Sequence, residues 1–198
     1  RWYDWIAGTS ERRYREAGLE ILHAVPGETI LDLGCGTGQS TAELVQAVSP
    51  GGLVLALDLS EKMARITNQR ISTQNETAGG VVVIGDGAQI PVRSNTLDAV
   101  FISFTLELFH TEELLPVLEH CQGALKPDGR LVLVSMEARS KPSLITRAYL
   151  TARRILPAFL DCRPIPVRSL LESAGFSIRE TCEFSMYGFP IIVIEASL

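Results

Sequence analysis

The chain has 198 residues, enough to bury one full hydrophobic core and too few for two ordinary domains. Its 46% hydrophobic and 21% charged residues exclude disorder as the main state, and a formal charge of −5 repels a phosphate backbone, which argues against nucleic acid as a partner. Cys35, Cys121, Cys162 and Cys182 lie too far apart for a metal knuckle or a dense disulfide framework, so a reduced, cytoplasmic protein without a metal is expected.

Behind an aromatic lead (Trp2, Tyr3, Trp5), Ser10 is placed to cap a helix with Tyr14, Ala17, Ile21 and Leu22 at helical spacing, ending near Pro26. Strands and helices then alternate: a buried strand at 29–33, a helix at 38–49, a strand at 53–58, a helix at 60–72 and a β-branched strand at 81–84. A fourth strand at 97–104 precedes a helix carrying Leu114, Leu115, Leu118 and Cys121, and residues 125–129 predict a turn before a fifth strand at 130–135. Strands separated by helix-length segments require crossovers, which predicts a doubly wound α/β domain with a mainly parallel sheet. The remainder reads as a helix at 141–156, a proline-rich link at 157–166, a short helix at 167–174 and two closing strands at 176–184 and 189–196, paired antiparallel at a sheet edge.

The segment Leu31-Asp32-Leu33-Gly34-Cys35-Gly36-Thr37-Gly38 falls where the first strand turns into its helix, the place where open α/β sheets bind ligands. A nicotinamide dinucleotide is the first alternative for such a turn, but Gln39 stands where the third glycine of GxGxxG would fall. Asp32, just ahead of the loop, would repel a pyrophosphate and attract an ammonium group. A cationic ligand without phosphate fits better, and S-adenosylmethionine has that character. Asp58 ends the second strand and can take both ribose hydroxyls, as the equivalent acid does in dinucleotide folds. Asp86, Gly87 and Ala88 offer a carboxylate and small residues to an adenine, with Leu59 and Met63 available to its faces.

In this order, LDLGCGTG, the Asp58 acid, GDGAQIP, LDAVFISFTLEL and LKPDGRLVLV resemble a class I S-adenosylmethionine-dependent methyltransferase over residues 29–136. The lead Tyr3-Asp4 with the segment SERRYR at 10–15 resembles the UbiE-type branch, which methylates quinones and their relatives. The resemblance implies a Rossmann-like, seven-stranded sheet with an antiparallel final strand, an N-terminal helix and a lid helix. It also implies Asp32, Gly34, Cys35, Gly36, Thr37 and Gly38 at the methionine end, Asp58 and Leu59 at the ribose, Asp86, Gly87 and Ala88 at the adenine, Ser103 near the methionine moiety and Tyr3 as a lid contact. The corresponding organisation is one domain: a cap at 1–26, a cofactor-binding core at 27–137, a basic substrate-side lid at 138–168 and closing elements at 169–198.

Glu107 and His110 follow the fourth strand, at the end that faces the transferred methyl in this fold, and are the candidate bases. Cys35, flanked by glycines with no nearby histidine in sequence, reads as a small filler rather than a nucleophile. Residues 138–168 carry seven basic side chains against a single acid, Asp161. A basic amphipathic helix at 141–156 would suit peripheral membrane contact or cover a lipophilic substrate, and Arg163 would hold an anionic or carbonyl oxygen. A small lipophilic acceptor is expected, a quinone or prenylated aromatic precursor first and the amine of phosphatidylethanolamine second; a non-catalytic S-adenosylmethionine-binding domain is the remaining alternative.

Overall fold

A computed structural model describes residues 3–73, 79–138 and 163–198, with side chains from residue 11 onward. The alternating run of β-branched and leucine segments forms one seven-stranded sheet in the order β3-β2-β1-β4-β5-β7-β6. Its strands are β1 (Thr29–Leu33), β2 (Leu53–Asp58), β3 (Gly79–Ile84), β4 (Leu97–Ser103), β5 (Leu125–Met136), β6 (Ser177–Met186) and β7 (Phe189–Ser197). The first five run parallel, and β7 enters antiparallel between β5 and β6. Each crossover is a helix-length connection, whereas β6 and β7 are joined by two residues, Tyr187 and Gly188, which permit only an antiparallel return.

Side chains alternate across the sheet and bury two cores. Leu31, Leu33, Leu57, Val100, Ile102, Leu131 and Leu133 face α4 (Leu114–Ala124) and α5 (Val167–Ser173). Ile30, Val54, Ala99, Phe101, Val132 and Val134 face α1 (Tyr3–Leu22), α2 (Gln39–Ala47) and α3 (Glu61–Ser72). Such two-sided burial explains why the central strands read as continuous apolar runs rather than alternating ones.

The position of α1 sets up the site. At its lower end, Arg130 of β5 donates from Nε to Leu22 O (2.6 Å) and grips Glu28 through both terminal nitrogens (2.8 and 2.9 Å). Higher up, Gly18 lies against Val134 and Phe101, so closely that a Cβ would stand 2.6 Å from Val134 Cγ2. Tyr14, fully buried, donates its hydroxyl to Ser185 O (2.8 Å) and meets the Phe104 and Phe184 rings edge-on. The N-terminal part of α1 is thereby carried toward the carboxyl ends of β4 and β5.

Two expectations are corrected. Ser10 lies inside α1 rather than at its cap, because the proline-free aromatic lead continues the same helical run from Tyr3. Residues 125–129 do not precede the fifth strand but belong to it: pairing jumps from Leu97↔Leu125 to Ala99↔Arg130, so 126–129 bulge outward. Pro127 has no N–H for the ladder, and a bulge accommodates it. Helix α1 also ends at Leu22, four residues short of Pro26, with His23 at a positive φ of 49°, and the remaining boundaries move by one or two residues, the usual fraying of element ends. The helix expected at 141–156, with the membrane contact assigned to it, lies outside the described residues. No helix among those described is long and apolar enough to cross a membrane.

Candidate active site

The glycine loop occupies the turn from β1 into α2, and every one of its corners is held. Gly34 and Cys35 donate their backbone N–H to Leu57 O (2.8 and 3.1 Å), which ties the loop to β2. Gly34 has φ of 75° and lies against Thr105, where a Cβ would stand 2.2 Å from the threonine hydroxyl; only glycine fits. Gly38 has φ of 73°, caps α2 and lies under Thr67 of α3, whose Cα is 2.9 Å from the place of a Cβ. Gly36 is different: its open side meets nothing closer than Gly34 O at 4.0 Å, which leaves room above the loop.

Asp58 closes the loop from β2. One carboxylate oxygen accepts from Gly36 N and the other from Ser60 N, both at 2.8 Å. The Ser60 hydroxyl in turn caps α3 by accepting from Met63 N (3.4 Å), so Met63 and the exposed Leu59 flank this carboxylate. Asp86 after β3 accepts from Ala88 N (2.9 Å), and Gly87 is pressed between the Phe109 ring and Leu33. These residues line up along the carboxyl ends of β1, β2 and β3, with Ser103 at the end of β4. Tyr3 begins α1, and its side chain lies outside the described residues.

Asp32 does not point into the loop. It is buried on the α1 and α2 side of the sheet, where Thr41 donates to its Oδ2 (2.6 Å), and burial with the nearby Asp58 charge raises its pKa from 3.8 to about 6. Its influence on a ligand is therefore a field through the loop rather than a direct contact. Cys35 is buried, and that burial, reinforced by Asp32, pushes its thiol up to about 12; such a group is no nucleophile at neutral pH. Among the described residues Cys35, Cys121 and Cys182 are free, and no cluster of metal-ligating side chains occurs.

Beyond β4 the chain turns at Thr105, whose hydroxyl donates to Gly34 O (3.3 Å), and enters a single 3₁₀ turn, Leu106–Leu108. This turn drives Glu107 inward to 1% exposure. Its Oε1 accepts from Met136 N (2.7 Å) at the end of β5, while its Oε2 has no partner among the described residues. Desolvation raises its pKa from 4.5 to about 7. His110, in contrast, is exposed in the loop ahead of α4, where its backbone N–H donates to the Glu113 carboxylate (2.9 Å). Both residues line a cavity of about 470 Å³ with Phe109, Thr111 and Arg163. Arg163 donates to Thr111 Oγ1 (2.6 Å) and Phe109 O (2.9 Å) and so holds the wall of that cavity. A second cavity, about 490 Å³ between α1 and α2, touches no residue of the glycine loop.

Three braces escaped sequence reasoning. Thr67 Oγ1 donates to Gly36 O (2.8 Å) and receives the Cys35 thiol (3.6 Å), and Arg70 donates from Nε to Thr37 O (2.8 Å). Thr67 had a readable signal, a lone hydroxyl in the buried stripe Ala64, Thr67 and Ile71 of α3.

A family model described as a methyltransferase domain matches residues 30–129, from β1 to the bulge of β5. This chain belongs to the methyltransferase-domain family. It is 31% identical over 150 residues to a demethylmenaquinone methyltransferase of Geobacillus sp. (strain WCH70), covering 74% of this chain and 62% of that protein. It is 35% identical over 131 residues to an uncharacterized 37.1 kDa protein in transposon TN4556 of Streptomyces fradiae, 66% of this chain and 36% of that one. The chain thus spans less than two thirds of the length of these relatives. A solved S-adenosylmethionine-dependent methyltransferase of Aquifex aeolicus superposes with a TM-score of 0.66 at 23% identity, over 93% of this chain and 89% of that one. The fold is thus that of the solved S-adenosylmethionine-dependent methyltransferase, and the family is that of the methyltransferase domain.

The loop suits that methyl donor: it has an opening at Gly36 and a carboxylate at Asp58. Thr67→Val in this methyltransferase domain keeps the shape and removes the brace on Gly36. It is expected to weaken S-adenosylhomocysteine binding by about 1 kcal/mol, roughly fivefold, in a calorimetric titration.

Proposed function

We propose that this protein transfers a methyl group from S-adenosylmethionine to a small lipophilic acceptor, a reduced quinone ring or a prenylated aromatic precursor, with Glu107 as the base. The observation that carries the assignment of the base is the Glu107 carboxyl: buried, held at one oxygen by Met136 N, unpartnered at the other, and bordering the cavity beyond β4. A carboxyl raised to about 7 is matched to taking a proton near neutral pH. His110 is exposed, whereas Glu107 is buried, which favours Glu107 over it. The name of the Geobacillus relative supports a quinone-like acceptor.

The methyl donor supplies a sulfonium, already an excellent leaving group, so the protein contributes chiefly alignment. Asp58 holds the ribose hydroxyls, the loop from Gly34 to Gly38 admits the methionine end, and Asp86 with Ala88 borders the adenine. Leu59 and Met63 flank the ring and Ser103 approaches the methionine moiety. Arg163 keeps the cavity wall in place through Phe109 and Thr111. When a ring carbon gains the methyl, the ring must lose a proton, and Glu107 Oε2 is the atom that accepts it.

The test is incubation with methyl-labelled S-adenosylmethionine and a lipid extract under reducing conditions, followed by separation of quinones, phospholipids and water-soluble products. Label in the quinone fraction is the expected result. Label in phospholipid would replace the acceptor by a headgroup amine, and no label in any fraction would overturn the catalytic reading. Asp58→Ala is expected to weaken S-adenosylmethionine binding by on the order of 1–3 kcal/mol through lost charged hydrogen bonds; unchanged affinity would remove Asp58 from the site.

A further inference from the structure

The sheet ends on one side with β6 and on the other with β3, which pairs with β2 alone. Which backbone groups β3 leaves open follows from its register. Gly79 N donates to Gly52 O (3.0 Å) and Gly85 N to Asp58 O (3.1 Å), so Gly79, Val81, Val83 and Gly85 turn their backbone groups toward β2. The N–H and C=O of one residue point to the same side of a strand, and that side alternates along the chain, so Gly80, Val82 and Ile84 turn theirs outward. Among the described residues nothing pairs with that edge.

The two edges of the sheet differ in residue type. β6 carries Arg179, Glu180 and Glu183 and an irregular register between Ile178 and Glu180, devices that keep an edge from pairing. β3 reads GGVVVI, with no charge, no proline and an unbroken register. On it Val81 is 47% and Ile84 56% exposed. A regular, uncharged edge with β-branched side chains in water is a template for one more strand.

The strand that fits is β3 of a second copy. Antiparallel pairing about a two-fold axis at Val82 sets Val82 opposite the second copy's Val82 and Gly80 opposite its Ile84, and every outward N–H and C=O is then bonded. A shift of two residues either way carries Gly80 or Ile84 past the end of the opposing strand. Side chains agree with the same register. Val81 meets the second copy's Val83, a β-branched cross-strand pair. Ile84 of the second copy lies over Gly80, which has no side chain and above which Ile71 Cδ1 of α3 stands 2.9 Å from the place of a Cβ.

We propose that β3 is an interaction edge through which two copies of this chain join their sheets in an antiparallel, two-fold contact. The carboxyl ends of the joined strands then point in opposite directions, so the two glycine loops open at opposite ends and neither copy obstructs the other. β3 contributes 6 residues a side, fewer than the roughly 20–30 of a standard interface, so the dimer is expected to dissociate in the range of about 10–100 µM rather than to be permanent.

The experiment is sedimentation equilibrium and amide hydrogen exchange of the whole protein from about 5 to about 500 µM. The mean mass is expected to rise from that of one chain toward that of two. Over the same range the amides of Gly80, Val82 and Ile84 should slow several-fold, while those of Val81 and Val83, already bonded to β2, keep their rates. Val82→Pro removes the N–H at the axis without touching the ladder to β2, and Val81→Lys puts a charge on the edge at an exposed position. Each is expected to raise the dissociation constant about tenfold or more, and Val81→Lys decides the matter if the proline disturbs the strand. A single-chain mass at every concentration, a dimer in which those three amides do not slow, or a dimer that Val81→Lys leaves intact would overturn the proposal. Slow exchange of the three amides already in the single chain would overturn it too, because the edge would then be covered from within. None of these outcomes bears on the methyl-donor site, whose tests are ligand affinity and transfer.

Discussion

Glu107→Gln is expected to lower the rate of methyl transfer by about 10²–10⁴-fold, the range of general-base catalysis, with the loss in kcat rather than in KM. The amide keeps the shape of the side chain and can still accept from Met136 N, so the wall of the cavity survives. What disappears is the lone carboxylate oxygen that takes a proton. The measurement is single-turnover transfer of labelled methyl to whichever acceptor the extract experiment identifies, across pH 5.5–8.5. The unaltered protein should rise in rate through about pH 7, the region where Glu107 ionises, and the variant should be flat. Rates equal to those of the unaltered protein would remove Glu107 as the base and leave alignment alone to account for catalysis.

The same substitution should act on stability in the opposite direction. Glu107 is protonated more readily in the folded chain than in the unfolded one, at about 7 against 4.5, because folding removes it from water. A raised carboxyl contributes stability that is fully present below the unfolded value and is lost as pH rises through the folded one. The free energy of unfolding should therefore fall between about pH 5 and pH 8, by on the order of 3 kcal/mol from this group alone. Glu11 and Asp32, raised to about 7 and about 6, add to the fall with the same sign. Urea unfolding of the ligand-free protein measures it. Glu107→Gln should match the unaltered protein near pH 5 and exceed it at pH 8; a variant that is less stable at both values would make Glu107 a structural residue. Lower activity with higher stability at alkaline pH is the signature of a group buried for chemistry.

Much of this was legible in one dimension because the information is local. The GxGxG segment is a contiguous stretch at a strand-to-helix turn, and the positive φ of Gly34 and Gly38 is a requirement that glycine alone meets cheaply. Asp58 and Asp86 sit at strand ends, so their place along the sheet edge follows from the parallel order of strands. The doubly wound architecture follows from alternating elements, and the antiparallel β6–β7 pair from its short connection. Where local signals compete, the reading failed: Ser10 is a good cap by residue type, yet a cap acts only where a helix begins, and this one begins at Tyr3. The stretch 125–129 has turn chemistry, yet pairing with β4 on either side absorbs it as a bulge.

By itself, then, the sequence determined the alternation of strands and helices, the glycine loop and the acids that flank it, since each depends on neighbours within a few residues. Only the tertiary structure decided that Asp32 turns away from the loop onto Thr41, that Thr67 and Arg70 brace the loop from α3, and that Glu107 is buried while His110 is not. Proton affinity is a property of solvent exclusion and of charges brought together through space, and neither is written in the spacing of residues along a chain.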